Sequence, residues 1–433
     1  MCCDTIDDLT NSTINNMQDY QAKNKRILCI LDRATINPSV MTTCLDKITN
    51  AYKKLGYSFD YICMEYHTDD KKHILQENGD SIHYLSNLQA KTYRNPNFMA
   101  RVRYKLATYL GAYKYHTTID KSVKIAEALK IAKELLETNE YSFMISVSGQ
   151  FIFQIIAAHI KNVFRKIKWI AYELDPFVYN YEAPIKKLEK RKKIASKTFS
   201  SVDLILSTYG IIDENIKKNY TPEYHKKAII VDLPNLVNEN YDGYKHDNYF
   251  NNNKINCVYA GTLYHKLRNP EKMLESFSRL SNEVLLHLYG YGCNDIIEKF
   301  KKTLGDRLIV HGKVSREETL EAMFNADILV NIGNSIPNQL PSKVFEYISM
   351  GKPVVNFAEL KEDTSHRYFS KYPLALTVYN DQDIEKNLSL VEKFIFENKG
   401  KSLLFEEATA NLKECLSENV VQRIVEAIDK VKD

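Results

Sequence analysis

Short apolar runs recur along the chain, and each is followed by a stretch whose apolar positions repeat at helical spacing. In the first half the runs predict strands near Arg26–Leu31, Phe59–Met64, Phe143–Val147, Ile167–Tyr172, Leu204–Ser207 and Ala228–Val231. Helical spacing fills the gaps at Val40–Leu55, Ala100–His116, Ser122–Glu137, Phe151–Phe164 and Ile185–Phe199. Alternation of this kind implies parallel strands joined by crossover helices. It stops at residues 238–254, NENYDGYKHDNYFNNNK, which lack periodicity and read as an interlobe linker or a solvated loop. It then resumes, with strands at Asn256–Ala260, Val284–Tyr289, Leu308–His311, Asp327–Ile332 and Val354–Phe357. Helices are expected at Pro270–Leu280, Asp295–Thr303, Arg316–Phe324 and Pro341–Met350, with a closing helix over roughly Val420–Val431.

The economical reading is α/β: two doubly wound Rossmann-like lobes. The division is a flexible segment at 1–24, a first lobe at 25–237, the linker at 238–254, a second lobe at 255–405 and a C-terminal helical segment at 406–433. In open parallel sheets a ligand sits beyond the carboxyl ends of the strands, here the cleft between the lobes.

Length and composition agree with this division. A chain of 433 residues is too long for one comfortable core, and its 44% apolar share supports two. The net charge of +4 is small for this size and does not announce a nucleic-acid binder. The eight cysteines (Cys2, Cys3, Cys29, Cys44, Cys63, Cys257, Cys293 and Cys415) are scattered and form no CxxC pair, which points away from zinc and towards a reducing cytosol. Residues 1–24 hold no signal-peptide core, and no run of about 18 apolar residues occurs, so a cytoplasmic protein is expected.

The chemistry gathers at strand ends of the second lobe. In Asn338–Pro353, NQLPSKVFEYISMGKP, Pro341 suits the first turn of a helix that Gly351 and Pro353 end. Leu340 occupies the usual cap position, leaving the amides of Ser342, Lys343 and Val344 without a side-chain acceptor. A phosphate would satisfy them, aided by the helix dipole and the Lys343 charge. Glu346, one turn in, can accept two hydrogen bonds from a ribose diol. Taken alone, this element is equally an ordinary buried helix with an imperfect cap. The run YAGTLYHKLRNP, Tyr259–Pro270, ends a strand at Gly261 and supplies Arg268, whose guanidinium can grip a diphosphate or simply be solvated. Tyr289–Gly292 adds Gly290 at a strand end, and His311–Val314 adds Gly312 and Val314 where backbone groups can meet a nucleobase.

With these residues in order, the chain resembles the GT-B glycosyltransferases of the family-4 type, the glycosyl transferases group 1, most clearly over 254–358. PSKVFEYISMGKPVV looks like that family's donor motif, in which a Glu at position 346 holds the donor ribose. GTLYHKLRNP looks like its diphosphate loop, and DLPNLV at 232–237 resembles the segment before the interlobe linker. ISVSGQFIFQIIAAHIK and IKWIAYELDPF resemble the acceptor lobe of bacterial polysaccharide enzymes. The resemblance implies a C-terminal helix crossing back to the first lobe. It also implies a retaining transfer from a nucleotide sugar, a UDP-sugar ahead of a GDP-sugar, with no metal and no other cofactor. Arg268 and Lys343 would stabilise the leaving diphosphate. The donor contacts would come from Gly261, Thr262, Arg268, Gly290, Gly312, Val314, Asn338, Gln339, Ser342, Lys343, Val344 and Glu346.

Three departures stand out. Asn338 occupies the place of the family's first glutamate, Thr262 that of a frequent Arg, and DRATINPS at 32–39 that of a glycine-rich loop. In the first lobe, Asp175 and then Glu173, in YELDP, are candidates to orient hydroxyls, Asp175 alternatively opening a turn before Pro176. His159 lies on an apolar helix face and reads as a core residue, as do His265 and His287.

Residues 161–200 hold eleven Lys/Arg against four Asp/Glu, and Ile185, Leu188, Ala195 and Phe199 repeat at helical spacing within 184–199. Such a helix suits an anionic leaflet, at about 1 kcal/mol per cation near the surface, and so a lipid-linked acceptor. It also suits a solvated face packed inward. Aromatic residues placed to stack bases are missing from it, so nucleic acid is disfavoured. The expected function is sugar transfer to a saccharide or lipid-linked acceptor in cell-surface polysaccharide or glycoconjugate synthesis. A nucleotide-sugar epimerase on the same scaffold and a non-catalytic nucleotide-sugar-binding relic are the alternatives.

Overall fold

The computed structural model describes residues 25–32, 40–64, 73–75, 79–85, 113–148, 150–180, 184–238, 241–246, 249–250 and 253–431. The segment 1–24, most of DRATINPS and residues 100–112 of the helix expected over 100–116 lie outside them.

The first lobe is one sheet built from β1 (Arg26–Ile30), β2 (Ser58–Met64), β3 (His73–Leu75), β4 (Ser81–Leu85), β5 (Phe143–Ser148), β6 (Trp169–Glu173), β7 (Leu204–Ser207) and β8 (Ala228–Ile230). Their order across the sheet is β3-β4-β2-β1-β5-β6-β7-β8, parallel except for the β3–β4 pair. Its helices are α1 (Val40–Lys54), α2 (Tyr113–Thr138), α3 (Ile152–Val163), α4 (Leu188–Phe199), α5 (Tyr209–Lys218) and the short α6 (Tyr224–Lys227). The sequence predicts helices at 100–116 and 122–137; residues 113–116 of the first and all of the second fall within α2. Strands β3 and β4 are absent from the sequence reading: β3 is three residues long at the sheet edge, and the β4 run SIHYL is interrupted by His83.

The second lobe holds β9 (Ile255–Ala260), β10 (Val284–Tyr289), β11 (Leu308–Gly312), β12 (Ile328–Ile332), β13 (Val354–Ala358) and β14 (Ala375–Tyr379), ordered β11-β10-β9-β12-β13-β14. Its helices are α7 (Glu271–Arg279), α8 (Asn294–Leu304), α9 (Arg316–Asn325), α10 (Lys343–Ser349), α11 (His366–Phe369), α12 (Ile384–Asn398) and α13 (Phe405–Thr409). A last helix, α14 (Ser417–Asp429), closes the described chain. Both sheets reverse their strand order once, between β1 and β5 and between β9 and β12. At such a switch point neighbouring crossovers lead to opposite faces and leave a crevice at the strand ends.

Burial explains the strand pattern. The five residues of β13, VVNFA, are all buried because helices cover both faces of a parallel sheet. Trp169 of β6 is fully buried, and its indole N–H donates to Ser146 Oγ at 2.7 Å, so the large ring carries no unpaired polar atom. Cys29, Cys63, Cys257, Cys293 and Cys415 are buried.

Parts of 238–254 pack through their rings. Tyr241 is buried and stacks on Phe324 at 5.8 Å, Phe250 packs on His287 at 4.4 Å, and Asn325 holds the carbonyl of Tyr244 at 2.6 Å. Tyr241, Tyr244 and Phe250 therefore tie described parts of 238–254 to the second lobe, while Lys245 and His246 stay exposed. The C-terminal helix returns to the first lobe. Val420, Val421, Ile424 and Ile428 join Ile48 and Tyr52 in one apolar cluster, while Arg423 donates to the carbonyl of Ile230 at 2.8 Å. Buried Asp232, where the chain leaves the first lobe, accepts from the Tyr368 hydroxyl and the Cys415 thiol of the second. Among the described residues no helix is long and apolar enough to cross a membrane.

Gly351 ends α10 with φ +67°, and a side chain there would bring its Cβ to 2.1 Å from the Leu403 carbonyl oxygen. Both the left-handed backbone and the collision weigh against any other residue. Gly351→Ala is expected to cost about 2–3 kcal/mol, read as a lowered midpoint in urea denaturation; an unchanged midpoint would contradict this account.

Candidate active site

The loops at the β9–β12 switch point are tied together. Beyond β9, residues 261–270 make a tight turn in which Tyr264 and Arg268 bridge, and the Gly261 amide donates to the Tyr289 carbonyl at 2.9 Å. Beyond β12, Asn334 is fully buried. Arg268 Nε donates to Asn334 Oδ1 at 2.7 Å, and Asn334 Nδ2 donates to the Gln339 carbonyl at 2.7 Å. Arg268 is thus held over the crevice, partly buried, rather than in open water. Its charge is near the hydroxyls of Tyr259 and Tyr347 and lowers the pKa that burial raises in each. Asn334 gave no sequence signal, since a lone Asn after a strand is commonplace.

The segment 338–346 departs from expectation at its start. Helix α10 begins at Lys343 rather than Pro341, Ser342 makes no side-chain cap, and the Val344 amide donates to the Pro341 carbonyl at 3.3 Å. One of the three amides expected to await an anion is therefore used by a preceding turn. Glu346 is also engaged. Its Oε1 accepts from Arg316 at 2.6 Å and its Oε2 from Lys343 at 2.5 Å. Burial pushes the carboxyl up, but the Lys343 and Arg316 charges outweigh it and hold it down to about 2. A ribose diol would have to share or displace these cations. Arg316, the first residue of α9 beyond Gly312, escaped the sequence reading because it is close to Glu346 only in space.

The remaining strand-end residues sit close by. The Gly290 amide donates to the Gly312 carbonyl at 2.8 Å, the Thr262 carbonyl accepts from Tyr259 at 3.4 Å, and Val314 is half-buried against the core. His311 stacks on Tyr289 at 4.0 Å. His287 is buried, as expected, with Nδ1 and Nε2 in hydrogen bonds to His311 and Asn256; burial and the neighbouring imidazole lower it to about 4. His159 and His265 are exposed, which corrects the core reading of both; His265 lies 3.2 Å from Asp295.

Two first-lobe carboxyl groups reach the same junction. Asp175 accepts from Gln339 Nε2 at 2.9 Å, linking the lobes. Glu173 is the last residue of β6 rather than a loop residue, 3% exposed, with Oε2 unpartnered among the described residues. Burial pushes its carboxyl up to about 8, so it is largely protonated at neutral pH. Asn338 is 1% exposed and turns to the first lobe, donating to the Tyr179 carbonyl at 3.2 Å and to Glu214. The structure thus brings Asp175, Gln339, Asn338, Asn334 and Arg268 into one connected set. Glu346 and Lys343 form a second, one helical turn away.

Residues 254–366 match the family of glycosyl transferases group 1. The chain thus carries a region matching the glycosyl transferases group 1, confined to its second lobe. Its fold is that of solved GT-B structures. Sucrose-phosphate synthase from Thermosynechococcus elongatus aligns with a TM-score of 0.61 at 11% identity, covering 94% of this chain and 99% of that one. The Anabaena protein HepE, in complex with UDP and glucose, aligns at 0.60 and 12%, covering 94% and 100%. The lipopolysaccharide outer core galactosyltransferase WaaB, in its apo form, aligns at 0.56 and 13%, covering 93% and 99%. No curated protein matches the sequence.

Glu173 keeps in the folded chain a proton that the unfolded chain gives up near its ordinary value of 4.5. Stability is therefore expected to fall as pH rises from about 4.5 to about 8. Glu173→Gln should flatten that slope by roughly 2–4 kcal/mol, measured as unfolding free energy against pH. Parallel profiles for the two proteins would show that Glu173 is not held neutral.

Proposed function

We propose that the chain transfers a hexosyl group, with retention, from a nucleotide sugar to a saccharide or lipid-linked acceptor in cell-surface polysaccharide or glycoconjugate synthesis. The observation that carries this reading is Arg268 fixed by Asn334 across the switch point, a preset cation over the crevice where α/β sheets take ligands. As the leaving diphosphate gains charge, Arg268 and Lys343 stabilise it without moving far. Glu346 takes the ribose by exchanging one of its cations for hydroxyl donors. The backbone at Gly261, Thr262, Gly290 and Gly312, with Val314, borders the nucleoside, while Ser342 and Val344 open the helix beside it. A UDP-sugar is favoured over a GDP-sugar, and HepE, of the same fold, is described with UDP and glucose.

The acceptor side follows from the buried carboxyl groups. A protonated Glu173 donates a hydrogen bond, whereas Asp175 accepts one, so the pair can orient hydroxyls of either polarity. At the rim, Ile185 is 65% exposed between Pro184 and the exposed Lys186 and Lys187, with Lys190, Lys193 and Lys197 also exposed along α4. Arg191 of that helix instead turns inward to the Val178 carbonyl at 2.6 Å. This rim suits the anionic surface of the inner face of a cell membrane, on which a lipid-linked acceptor would be presented.

A panel of nucleotide sugars, read by released nucleoside diphosphate, tests the reading. Arg268→Ala and Glu346→Ala should each lower kcat/KM at least about 100-fold, roughly 2.7 kcal/mol; near-normal kinetics in both would remove the assignment. Vesicles containing phosphatidylglycerol should carry the protein in flotation, and Lys186→Glu/Lys187→Glu should release it. Equal flotation with neutral vesicles would count against the rim.

A further inference from the structure

The contact between Asn338 and the first lobe has a chemical logic beyond the donor site. Both acceptors around the Asn338 amide nitrogen belong to the opposite lobe: the Tyr179 carbonyl at 3.2 Å, and the carboxylate of Glu214 on α5. A backbone carbonyl and a carboxylate only accept. Position 338, buried to 1% exposure, must therefore offer donors, and among small side chains an amide offers two. A glutamate there would face a carboxylate and a carbonyl with no hydrogen to give either, a like-charge contact away from water.

The surroundings are built for this approach. At Gly210, near the start of α5, an added Cβ would lie 2.5 Å from the Pro337 carbonyl oxygen, so only glycine lets the helix come so near the 337–339 backbone. Beside it, the Arg367 guanidinium of the second lobe lies over the Tyr209 ring at 4.2 Å. Glu214 itself is half-buried; burial raises its pKa, opposed by the Asn338 hydrogen bond and the Lys218 charge. With the donors of Asn338 and Gln339 spent on the first lobe, the amide oxygens Asn338 Oδ1 and Gln339 Oε1 are buried and unpartnered among the described residues. Hydroxyl groups are the donors such oxygens lack.

We infer that Glu214 is a positioning residue of the transferase: by accepting from Asn338 across the lobe junction, it sets the 337–340 segment so that the amide oxygens of Asn338 and Gln339 face hydroxyls of the transferred sugar. The identity of that ligand rests on the function proposed above, whereas the clasp itself does not. Asn338 in place of a carboxylate is then an adjustment to a carboxylate that the other lobe already supplies. Glu214 reaches the site through Asn338, and its role is to align.

The test is a charge exchange in the full chain: Asn338→Glu, Glu214→Gln, and both together. Small-angle scattering and thermal melting without ligand read the clasp. Asn338→Glu should enlarge the radius of gyration and lower the melting temperature. Glu214→Gln should change neither much, because its amide oxygen still accepts. The double variant should recover most of the loss, because the amide introduced at position 214 then donates to the carboxylate introduced at position 338. With whichever nucleotide sugar the wild type uses, kcat/KM should fall at least about tenfold in Asn338→Glu, about 1.4 kcal/mol, and return in the double variant. A single variant Asn338→Glu as compact and stable as wild type, or a double variant no better than it, would overturn the inference. A wild type silent towards every nucleotide sugar would instead remove the proposed function, and scattering would still decide the clasp.

Discussion

The site depends on one line of hydrogen bonds that crosses from lobe to lobe. Arg268 gives its Nε hydrogen to Asn334, Asn334 gives one to the Gln339 carbonyl, and the Gln339 side chain gives one to Asp175. Thr364 adds a second donor to the same Gln339 carbonyl at 3.0 Å. Each member fixes the next, and the outer two are charged groups on opposite walls. In a partly dry junction such charge-assisted bonds are stronger than neutral ones and hold orientation as well as distance. A cation and a carboxylate are thereby fixed on facing lobes without touching each other.

Behind this line the second lobe keeps a buried polar support. Asn331 donates to Asn356, Asn356 to the Asp363 carboxylate, and Asp363 receives the Ser365 amide, all behind the 333–340 loop. Burial raises the Asp363 carboxyl, countered by those hydrogen bonds. A polar ladder of this kind stabilises one arrangement because any slip leaves an unsatisfied group inside. The loop that carries Asn338 and Gln339 is therefore braced from behind by its own lobe and from the front by the other.

The fold was largely legible because parallel strands buried on both faces read as continuous apolar runs; β9, β10, β12 and β13 sit within a residue or two of their expected bounds. Strands β3, β4 and β14 were not legible. Strand β14 is mostly half-buried and its residues carry no unbroken apolar signature. The linker misled because tyrosines count as polar in a pattern and yet pack by their rings, as Tyr241 does on Phe324. At the site, Arg268, Glu346 and Lys343 could be picked out because they belong to compact local motifs. Asn334, Arg316 and Glu214 could not, since each gains its meaning from a partner 66, 30 or 124 residues away. Asn338 was visible as a departure, but its reason lies on the other lobe.

The return of α14 to the first lobe means that the chain passes between lobes twice, once at Asp232 and once before Ser417. Ile48 and Tyr52 of the first lobe share an apolar cluster with Val420, Val421 and Ile424, and that flank stays open until those residues arrive. On the ribosome, that lobe cannot be finished when its own strands have emerged; it waits while the whole second lobe is made. The N-terminal half alone is thus an unsealed body with an apolar flank, and a chain cut before the last helix would injure the lobe farthest from the cut in sequence.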